Sequence, residues 1–372
     1  MLCAETVLVL PFFNLSKTAN LDWIGESISE SIIEELSAQG VLVVEHSARD
    51  EALKRLGIKR YAPLTRGSIL ELAVNADAGM VVSGSFEVQA DSPKRLQIQV
   101  KIMNARQMRR GAEFMGSGPL EDLSRLQARA VWQVLNELAP GRAGTEMAFL
   151  QERPSIRLDA MESYVRALMS TTPEARHKWL AQAVRLQPDY SQACFQMGSF
   201  EFERKDYISA AQWFRRVNPR DAHFRAALFF LGLSLFQQGD FTESEAALAR
   251  VAAEVPLPEV LNNLGAAQLQ AGKAEALENF QHAIEGDPAD PDYHFNAGYT
   301  LWRAARYEEA KPYFAAVLER EPADEFAMML LGKCLKQAGP RSGDLKTEGL
   351  VLLKFRFNES AWFQLQAILN KK

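Results

Sequence analysis

A short stretch of the sequence gathers side chains of the type that bind metal ions: Asp287, Asp290, Asp292 and His294. Carboxylate and imidazole groups are common metal ligands, but Asp also caps helices by accepting hydrogen bonds from the free N–H groups of the first turn. The stretch lies in a turn that precedes a predicted helix, and this position favours capping. The sequence contains no His-Glu-x-x-His and no Cys-x-x-Cys spacing, so no metal site is predicted.

Two other groups could in principle carry chemistry. Residues 116–118, Gly-Ser-Gly, precede a helix whose N-terminus could hold a phosphate, but a turn closed by Pro119 is the simpler interpretation. Three glutamates share one stripe of a predicted helix: Glu26, Glu30 and Glu34. We expect a solvated helix face there and not a pair of catalytic carboxylates. Walker A, Gly-x-Gly-x-x-Gly and Gly-x-Ser-x-Gly patterns are absent, so neither a catalytic residue nor a cofactor is predicted.

Charge and cysteine content exclude several classes of protein. The 372 residues carry 42 Lys and Arg against 47 Asp and Glu, a net charge of −5, whereas a general nucleic-acid binder presents a basic face. Three cysteines are too few for a disulfide framework. No apolar run approaches the roughly 18 residues that cross a bilayer. We therefore expect no nucleic-acid partner and no membrane span, and the sequence specifies no oligomeric state.

A repeat of 33 to 34 residues runs through the second half of the chain. Its glycines are Gly198, Gly232, Gly265, Gly298 and Gly332. Each of the first four units then carries a small residue and, four positions later, a bulky one: Ala210 and Phe214, Ser244 and Leu248, Ala276 and Phe280, Ala310 and Phe314. This spacing predicts two packed helices per unit, in which the small residues permit close approach and the bulky ones fill the space between units.

The repeating residues resemble the tetratricopeptide repeat, most clearly at 262–265, 296–298 and 307–310. The resemblance implies an all-α solenoid of helix hairpins. Residues 159–188 have the pattern of a degenerate first repeat, and the unit that ends at Asn218 is cut short. Beyond Pro340, apolar residues recur at helical spacing: Leu350, Leu353, Phe357, Trp362, Leu365 and Leu369. They predict a helical cap, which a solenoid needs to cover its last apolar face.

The first third of the chain has a different pattern, in which strands and helices alternate. Apolar runs and period-two alternation predict strands at residues 6–10, 41–45, 80–88, 96–102 and 111–116. Helical periodicity predicts helices at residues 22–36, 47–57 and 68–76, and a long helix that Pro119 opens. The strand at 41–45 should lie parallel to the first strand, through a right-handed crossover.

Several motifs in this region resemble the N-terminal α/β domain of TolB and the related FlgO-type envelope domains. They are Val-Leu-Val-Leu-Pro-Phe at 7–12 with Asn-Leu-Ser at 14–16, Ile-Gly-Glu-Ser-Ile at 24–28, Val-Ser-Gly-Ser-Phe at 82–86 and Pro-Leu-Glu-Asp-Leu at 119–123. The resemblance covers about residues 5–138. It implies a bacterial envelope protein with a non-catalytic domain.

These patterns divide the chain into four parts. Residues 1–138 form the α/β domain, residues 139–158 a Pro- and Gly-containing linker, residues 159–340 about five tetratricopeptide repeats, and residues 341–372 a C-terminal helical cap. The fold class is therefore an α/β domain followed by an all-α solenoid.

The first helix of each repeat should line a concave groove, at positions three before, one after and four after the glycine. Many of these positions are aromatic, and the predicted partner-binding residues are Phe195, Phe202, Phe229, Phe236, Asn262, Phe295, Tyr299, Trp302 and Arg303. Contiguous apolar surface generally marks an interface, so a protein or peptide with hydrophobic anchors is the expected partner. Alternatively, some rings turn back into the helix pairs, or the C-terminal helices fold over them. Few cations lie near the groove, so a carboxylate clamp is not expected.

Two functions remain open at this stage. One is a non-catalytic scaffold whose repeats bind one protein and whose α/β domain binds a second protein. The other is an enzyme or small-ligand-binding α/β domain that uses the repeats for targeting; a perturbed cluster of ionisable groups would favour it. The resemblance to envelope domains implies a periplasmic or envelope location. Residues 1–4 lack the pattern of a signal peptide, although they could be the tail of a trimmed one; otherwise we expect a cytoplasmic protein.

Overall fold

A computed structural model describes residues 6–16, 18–89, 94–341, 343–344, 346–359, 362–363 and 366. These residues divide into two compact units: one contains the described residues up to Ala193 together with 362–363 and 366, and the other contains the described residues of Cys194–Glu359. The predicted cap residues Leu365 and Leu369, and the N-terminal residues 1–4, lie outside the described residues.

The first unit contains a mixed sheet of five strands within the described part: β1 (Val7–Val9), β2 (Phe13–Asn14), β3 (Met80–Gln89), β4 (Arg95–Asn104) and β5 (Arg109–Pro119). Strands β3, β4 and β5 form an antiparallel meander, and both β1 and β2 pair with β3 in parallel. The prediction of a full strand at residues 41–45 was wrong. Only an isolated parallel bridge joins Val7 to Val43, because Gly40 bends the chain just before it and a helix begins at His46.

Four helices pack with this sheet: α1 (Asp22–Ala38), α2 (His46–Arg55), α3 (Arg66–Asn75) and α4 (Leu123–Leu138). The long fourth helix does not begin at Pro119 as predicted. Instead β5 continues through Pro119, and a 3₁₀ turn at Leu120–Asp122 comes before α4. A buried hydrogen bond of 2.7 Å from Gln127 Nε2 to Ser27 Oγ joins α4 to α1.

The predicted linker contains a short helix, α5 (Glu146–Gln151), which begins where the Thr145 side chain accepts a hydrogen bond from the N–H of Ala148. Two helices follow, α6 (Leu158–Leu168) and α7 (Pro173–Leu186). They pack as a hairpin in the place of the degenerate first repeat.

The rest of the array is a series of antiparallel hairpins: α8 (Ser191–Glu203), α9 (Tyr207–Phe214), α10 (Phe224–Gln238), α11 (Phe241–Glu254), α12 (Pro258–Gln270), α13 (Ala276–Gly286), α14 (Pro291–Arg303), α15 (Tyr307–Arg320) and α16 (Glu325–Leu335). Helix α9 has only 8 residues, as expected for the unit cut short at Asn218. Side chains of Asp206, Asp240, Asp290 and Asp324 cap four of these helices. Within the described residues, no helix combines the length and apolarity that a membrane span requires.

The repeat glycines bring paired helices close together, as the sequence predicts. A Cβ added at Gly232 would lie 2.6 Å from Leu248 Cγ, and one at Gly198 would lie 2.7 Å from the ring of Phe214. Both neighbours are bulky residues of the predicted pattern. Gly332 differs, since a Cβ there would meet nothing within 4 Å. The last helix of the array is therefore less tightly enclosed at its glycine than the earlier ones.

Part of the chain after α16 departs from the prediction of a helical cap, whereas the described residues 359, 362–363 and 366 are helical. Residues 350–358 contain no helix. In this stretch alternate residues direct their main-chain groups to the same side, as in an extended strand. The sequence supports this conformation, because Lys354 and Arg356 alternate with Phe355 and Phe357. We call residues 347–359 the groove segment, since they lie along the first helices of the repeats.

Candidate functional site

The groove segment is held through its main chain by asparagine side chains of the repeats. Asn296 Oδ1 accepts a hydrogen bond of 2.9 Å from the N–H of Leu352, and Asn296 Nδ2 donates one of 2.8 Å to the carbonyl of the same residue. This side chain is fully buried. One amide therefore satisfies both main-chain groups of one strand residue.

Asn263 repeats this arrangement two residues further along the strand. Its Oδ1 accepts from the N–H of Lys354 at 2.8 Å, and its Nδ2 donates to the carbonyl of Lys354 at 2.7 Å. Asn262, one of the predicted groove residues, donates to the carbonyl of Leu352 at 2.9 Å and accepts from Asn296 Nδ2 at 2.7 Å. Three amides on two neighbouring first helices thus form one connected network around the strand.

The side chain of Lys354 binds the acidic turn before α14. Its Nζ lies 2.6 Å from Asp290 Oδ2 and 2.5 Å from Asp292 Oδ2, and 5.1 Å from the ring centroid of Tyr293. Burial alone would lower the pKa of Lys354, but the hydrogen bonds to the two carboxylates outweigh it and raise the pKa above its ordinary value. Lys354 is therefore a cation throughout the neutral range.

The acidic turn also caps α14, as predicted, because Asp290 Oδ1 accepts from the N–H of Asp292 at 3.0 Å. His294 instead contacts the carbonyl of Pro288 at 3.0 Å. No group of three or more potential metal ligands occurs among the described residues. The turn therefore combines capping with the binding of an ammonium group.

Aromatic side chains of the groove segment rest on rings of the array. Phe357 stacks on Phe229, with ring centroids 5.0 Å apart and an interplanar angle of 20°. Phe355 lies against Phe202, at 6.3 Å between centroids. At the other end of the segment, Tyr299 donates from Oη to the carbonyl of Thr347 at 2.7 Å. Groove residues from four successive repeats therefore contact one strand.

The prediction that an aromatic strip faces water was wrong for much of its length. Phe229, Asn262, Phe295, Tyr299 and Trp302 are all buried. Of the two alternatives held open from the sequence, the first occurs, and in place of the second a non-helical part of the later chain covers the other rings. Some rings turn into the helix pairs, as where Phe295 packs edge-on against Phe314 at 6.0 Å; others are covered by later chain, as where Trp302 Nε1 donates to the carbonyl of Ala338 at 2.8 Å.

The remaining predicted residues lie at the margins of the groove. Phe195, Phe202 and Phe236 are half-buried. Phe195 packs against Phe214, and Phe236 against Phe241. The guanidinium of Arg303 is exposed and lies 5.9 Å from the ring centroid of Tyr299.

Sequence reasoning missed the asparagines that hold the strand most directly. Asn263 and Asn296 both stand two residues before a repeat glycine, on a helix whose neighbours are apolar. A buried amide requires hydrogen-bond partners, and two amides at one repeat position indicate a shared partner that crosses the repeats. The repeated asparagine at this position was therefore the sequence feature that could have predicted a bound strand.

A second charged cluster lies in the first unit, and it corrects the expectation of a solvated glutamate stripe. Glu26 is only 2% exposed. Its carboxylate accepts from Arg49 at 2.8 Å, from Arg60 at 2.9 Å and from the hydroxyl of Tyr61 at 3.1 Å. Helix α2 and the following turn, where Tyr61 has a φ of 63°, supply these groups and cover Glu26.

The protonation states of this cluster are fixed around neutral pH. Burial would raise the pKa of Glu26, but the cations of Arg49 and Arg60 lower it below its ordinary value. Burial, together with the Glu26 anion, raises the pKa of the Tyr61 hydroxyl. The carboxylate therefore stays ionised and the phenol stays protonated. No proton is poised for transfer between them near neutrality, and the cluster acts as an ion-pair network that joins α1 to α2.

Comparison with known families assigns both parts of the chain. Residues 2–109 match the FlgO protein family, and residues 217–257, 229–291, 264–325 and 295–339 match the tetratricopeptide repeat. The chain therefore joins an FlgO-type N-terminal domain to tetratricopeptide repeats. Repeats of this kind serve in protein–protein interaction.

Several solved structures show partial similarity to this chain. MamA (residues 41 to the end) from Desulfovibrio magneticus RS-1 is 23% identical, with 45% of this chain and 95% of that chain covered and a TM-score of 0.40. YrrB, described as a TPR protein with an unusual peptide-binding site, is 16% identical over 51% and 94%, with a TM-score of 0.38. The LpoB C-terminal domain from Salmonella enterica is 18% identical over 32% and 85%, with a TM-score of 0.26. No curated protein matches the chain significantly.

Proposed function

We propose that this chain is a non-catalytic scaffold of the bacterial envelope, which binds an extended segment of a protein partner in the groove of its repeats. The observation that carries the proposal is the pairing of Asn263 and Asn296 with both main-chain groups of Lys354 and Leu352. Such pairing holds an extended chain whatever its side chains, provided that no proline stands at either paired position.

The manner in which the groove segment is bound supports exchange with a partner. Residues 350–359 are half-buried or exposed, and none of them is fully buried. The asparagines beneath them are fully buried. The binding surface thus belongs to the array, and the segment lies on it as an external peptide would. Rings at Phe202 and Phe229 supply sites for the hydrophobic anchors of such a peptide.

The α/β domain is proposed as a second docking module, and the envelope as the location. Both proposals rest on the FlgO match and on the resemblance of residues 7–16 and 24–28 to the TolB and FlgO domains. A non-catalytic role is supported by the Glu26 cluster, in which the carboxylate stays ionised and the Tyr61 hydroxyl stays protonated near neutral pH. The alternative, an enzyme or small-ligand-binding α/β domain that uses the repeats for targeting, would rest on this same cluster, but its groups are paired with one another and join α1 to α2.

The proposal is tested by opening the groove and offering a peptide in trans. The double substitution Leu352→Pro/Lys354→Pro removes the two N–H groups that donate hydrogen bonds to the asparagines. We call the full-length protein with this double substitution the open variant. A fluorescein-labelled peptide with the sequence of residues 347–359 is titrated into it and its anisotropy measured. Binding is expected, and N-methylation of the peptide at Leu352 and Lys354 should weaken it by at least about tenfold.

Two results would count against peptide binding in the groove. One is no binding of the peptide to an open variant whose circular dichroism shows intact helices. The other is equal affinity for the N-methylated and unmodified peptides, which would mean that the asparagines do not hold the main chain. If the open variant loses its helices, the single substitution Lys354→Glu is used in its place. It removes the cation that pairs with Asp290 and Asp292 without changing any main-chain group of the groove segment.

A further inference from the structure

We infer that the partner's segment carries the same side-chain pattern as the groove segment: an apolar residue, a lysine two positions later, and an aromatic residue three positions after the lysine. This inference rests on the proposed function and identifies the class of partner. The groove segment is then an internal mimic that competes with the partner for the same site.

The requirement for a lysine follows from the acidic turn before α14. Two carboxylates, Asp290 and Asp292, lie within 2.6 Å of one ammonium group. An acidic side chain at this position would face both carboxylates, and like charges this close repel strongly. A neutral side chain would leave the pair of anions without a counter-ion. The turn therefore selects a cation.

The position of the lysine in the bound peptide is fixed as well. Asn263 holds the N–H and carbonyl of the residue whose ammonium enters the acidic turn. A shift of the strand by one residue would turn every side chain to the opposite face. The main-chain pairing and the acidic turn thus act on the same residue, and a shift by one residue would remove the cation from the turn.

The aromatic residue is fixed by the same register. Phe357, three residues after Lys354, stacks on the buried ring of Phe229. Aromatic pairs of this kind contribute beyond their buried area. The position that enters this ring site should therefore prefer an aromatic side chain to an aliphatic one.

Charge complementarity also sets the direction of the strand. Lys354 binds the acidic turn, and Glu359, five residues later, binds Arg225. A peptide in the reverse direction would bring its anion to the aspartates and its cation to the arginine. The preferred partner segment therefore has its basic residue on the N-terminal side and an acidic residue after the aromatic one.

Competition within one chain follows from connectivity. A short covalent connection gives a tethered segment a high effective concentration. Few residues separate α16, which ends at Leu335, from the groove segment. A partner must therefore exceed the tethered segment in affinity or in local concentration.

The test uses the full-length open variant and three labelled peptides: the sequence of residues 347–359, the same peptide with Lys354→Glu, and the same peptide with Arg356→Glu. The last is a matched control, because it makes the same charge change at an exposed position. Lys354→Glu should weaken binding by at least about tenfold, and Arg356→Glu by no more than about threefold. The open variant that also carries Asp290→Asn/Asp292→Lys should recover binding of the Lys354→Glu peptide, since Asn retains the helix cap.

The outcomes separate the inference from the proposed function. Equal losses for the two glutamate peptides would overturn the lysine requirement while leaving peptide binding intact, because the N-methylated peptide tests binding separately. Failure of the charge exchange to recover binding would overturn it too. The wild-type chain should bind the unmodified peptide at least about tenfold more weakly than the open variant; equal affinity would overturn the competition. Absence of binding for every peptide would contradict the proposed function itself.

Discussion

Asn263 and Asn296 occupy the same position in successive repeats and pair with residues two apart in a single strand, Lys354 and Leu352. Two residues of extended chain advance by about 6.6 Å. Each repeat of the array therefore advances along the strand by two residues at this point. Side chains of the strand that face the groove repeat with the same period, so successive repeats contact equivalent faces of the bound chain.

The first prediction concerns this pairing. Asn296→Ala should leave the N–H of Leu352 without its partner, remove one of the two amide donors to the Leu352 carbonyl, and remove the donor to Asn262 Oδ1. An unsatisfied buried polar group costs about 1–3 kcal/mol, so release of the groove segment is the favoured response. Hydrogen exchange of residues 350–358 should become faster. Asn279→Ala is the control, because that side chain bonds Gln268 and contacts no part of the segment; equally fast exchange there would contradict the prediction.

The second prediction compares two repeat glycines. Gly232→Ala places a Cβ 2.6 Å from Leu248 Cγ, and such overpacking costs about 1–3 kcal/mol. Gly332→Ala places a Cβ in open space, so the helix propensity of alanine should stabilise α16 by up to about 1 kcal/mol. Urea denaturation followed by circular dichroism measures both. Destabilisation by both substitutions would mean that other residues pack against Gly332 in solution, and it would contradict the prediction.

The third prediction concerns Trp302, whose ring is fully buried and stacks on Tyr299 at 5.8 Å between centroids. Trp302→Ala should lower the free energy of unfolding by about 3–5 kcal/mol, as expected for a large core side chain. Phe326→Ala is the matched control, since that ring is 51% exposed and its removal should cost about 0.5 kcal/mol or less. Chemical denaturation midpoints compare them, and similar shifts would refute the core assignment.

These cases show where sequence reasoning succeeded and where it could not. The repeat glycines and their bulky partners were readable because each contact lies within about one repeat length, where spacing reports packing. The groove segment was not readable in this way, because its contacts lie far apart in the sequence: 91 residues separate Asn263 from Lys354, and 134 separate Arg225 from Glu359. Leu350, Leu353 and Phe357 have helical spacing, but asparagine amides satisfy the main chain and make an extended strand the stable alternative.

The Glu26 stripe shows a second limit. Glutamates at every fourth position of a helix are usually solvated, and the sequence gives Glu26 no local sign of burial. Its partners Arg49 and Arg60 lie 23 and 34 residues away. Burial of the charge depends on a turn in which Tyr61 takes a left-handed backbone conformation, which is uncommon for a residue other than glycine. The periodicity of the sequence alone does not predict that turn.

The fourth prediction follows from this cluster. Glu26→Gln leaves Arg49, which is only 1% exposed, without its main counter-ion, and breaking a buried pair costs about 3–5 kcal/mol. Glu51→Gln removes an exposed pair with Arg55 and should cost less than about 1 kcal/mol. Hydrogen exchange of the α1 amides reports the stability of the first unit separately from the repeats. Equal protection in the two variants would show that the buried pair contributes little.

The fifth prediction is a dependence on pH. The folded pKa of Glu26 is lowered from its ordinary value of 4.5, so its contribution to stability is present above about 4.5 and is lost as the pH falls through the folded pKa. Arg49, Arg60, Tyr61 and His46 face the carboxylate. Burial would lower the pKa of Arg60, but the Glu26 anion raises it above its ordinary value. Protection of the α1 amides should therefore fall below about pH 4.5, and Glu26→Gln should flatten that decline. A decline of the same steepness in the variant would assign it to other carboxylates.

The groove segment also has a consequence for the order of biosynthesis. Helix α14 carries Asn296 and leaves the ribosome before residues 350–358 do. At about 5–20 residues per second, several seconds pass in which Asn262, Asn263 and Asn296 have no strand to bind. During this interval the nascent array presents an open groove. A partner present at the site of synthesis would meet no internal competitor, whereas one that arrives later must displace a strand already in place.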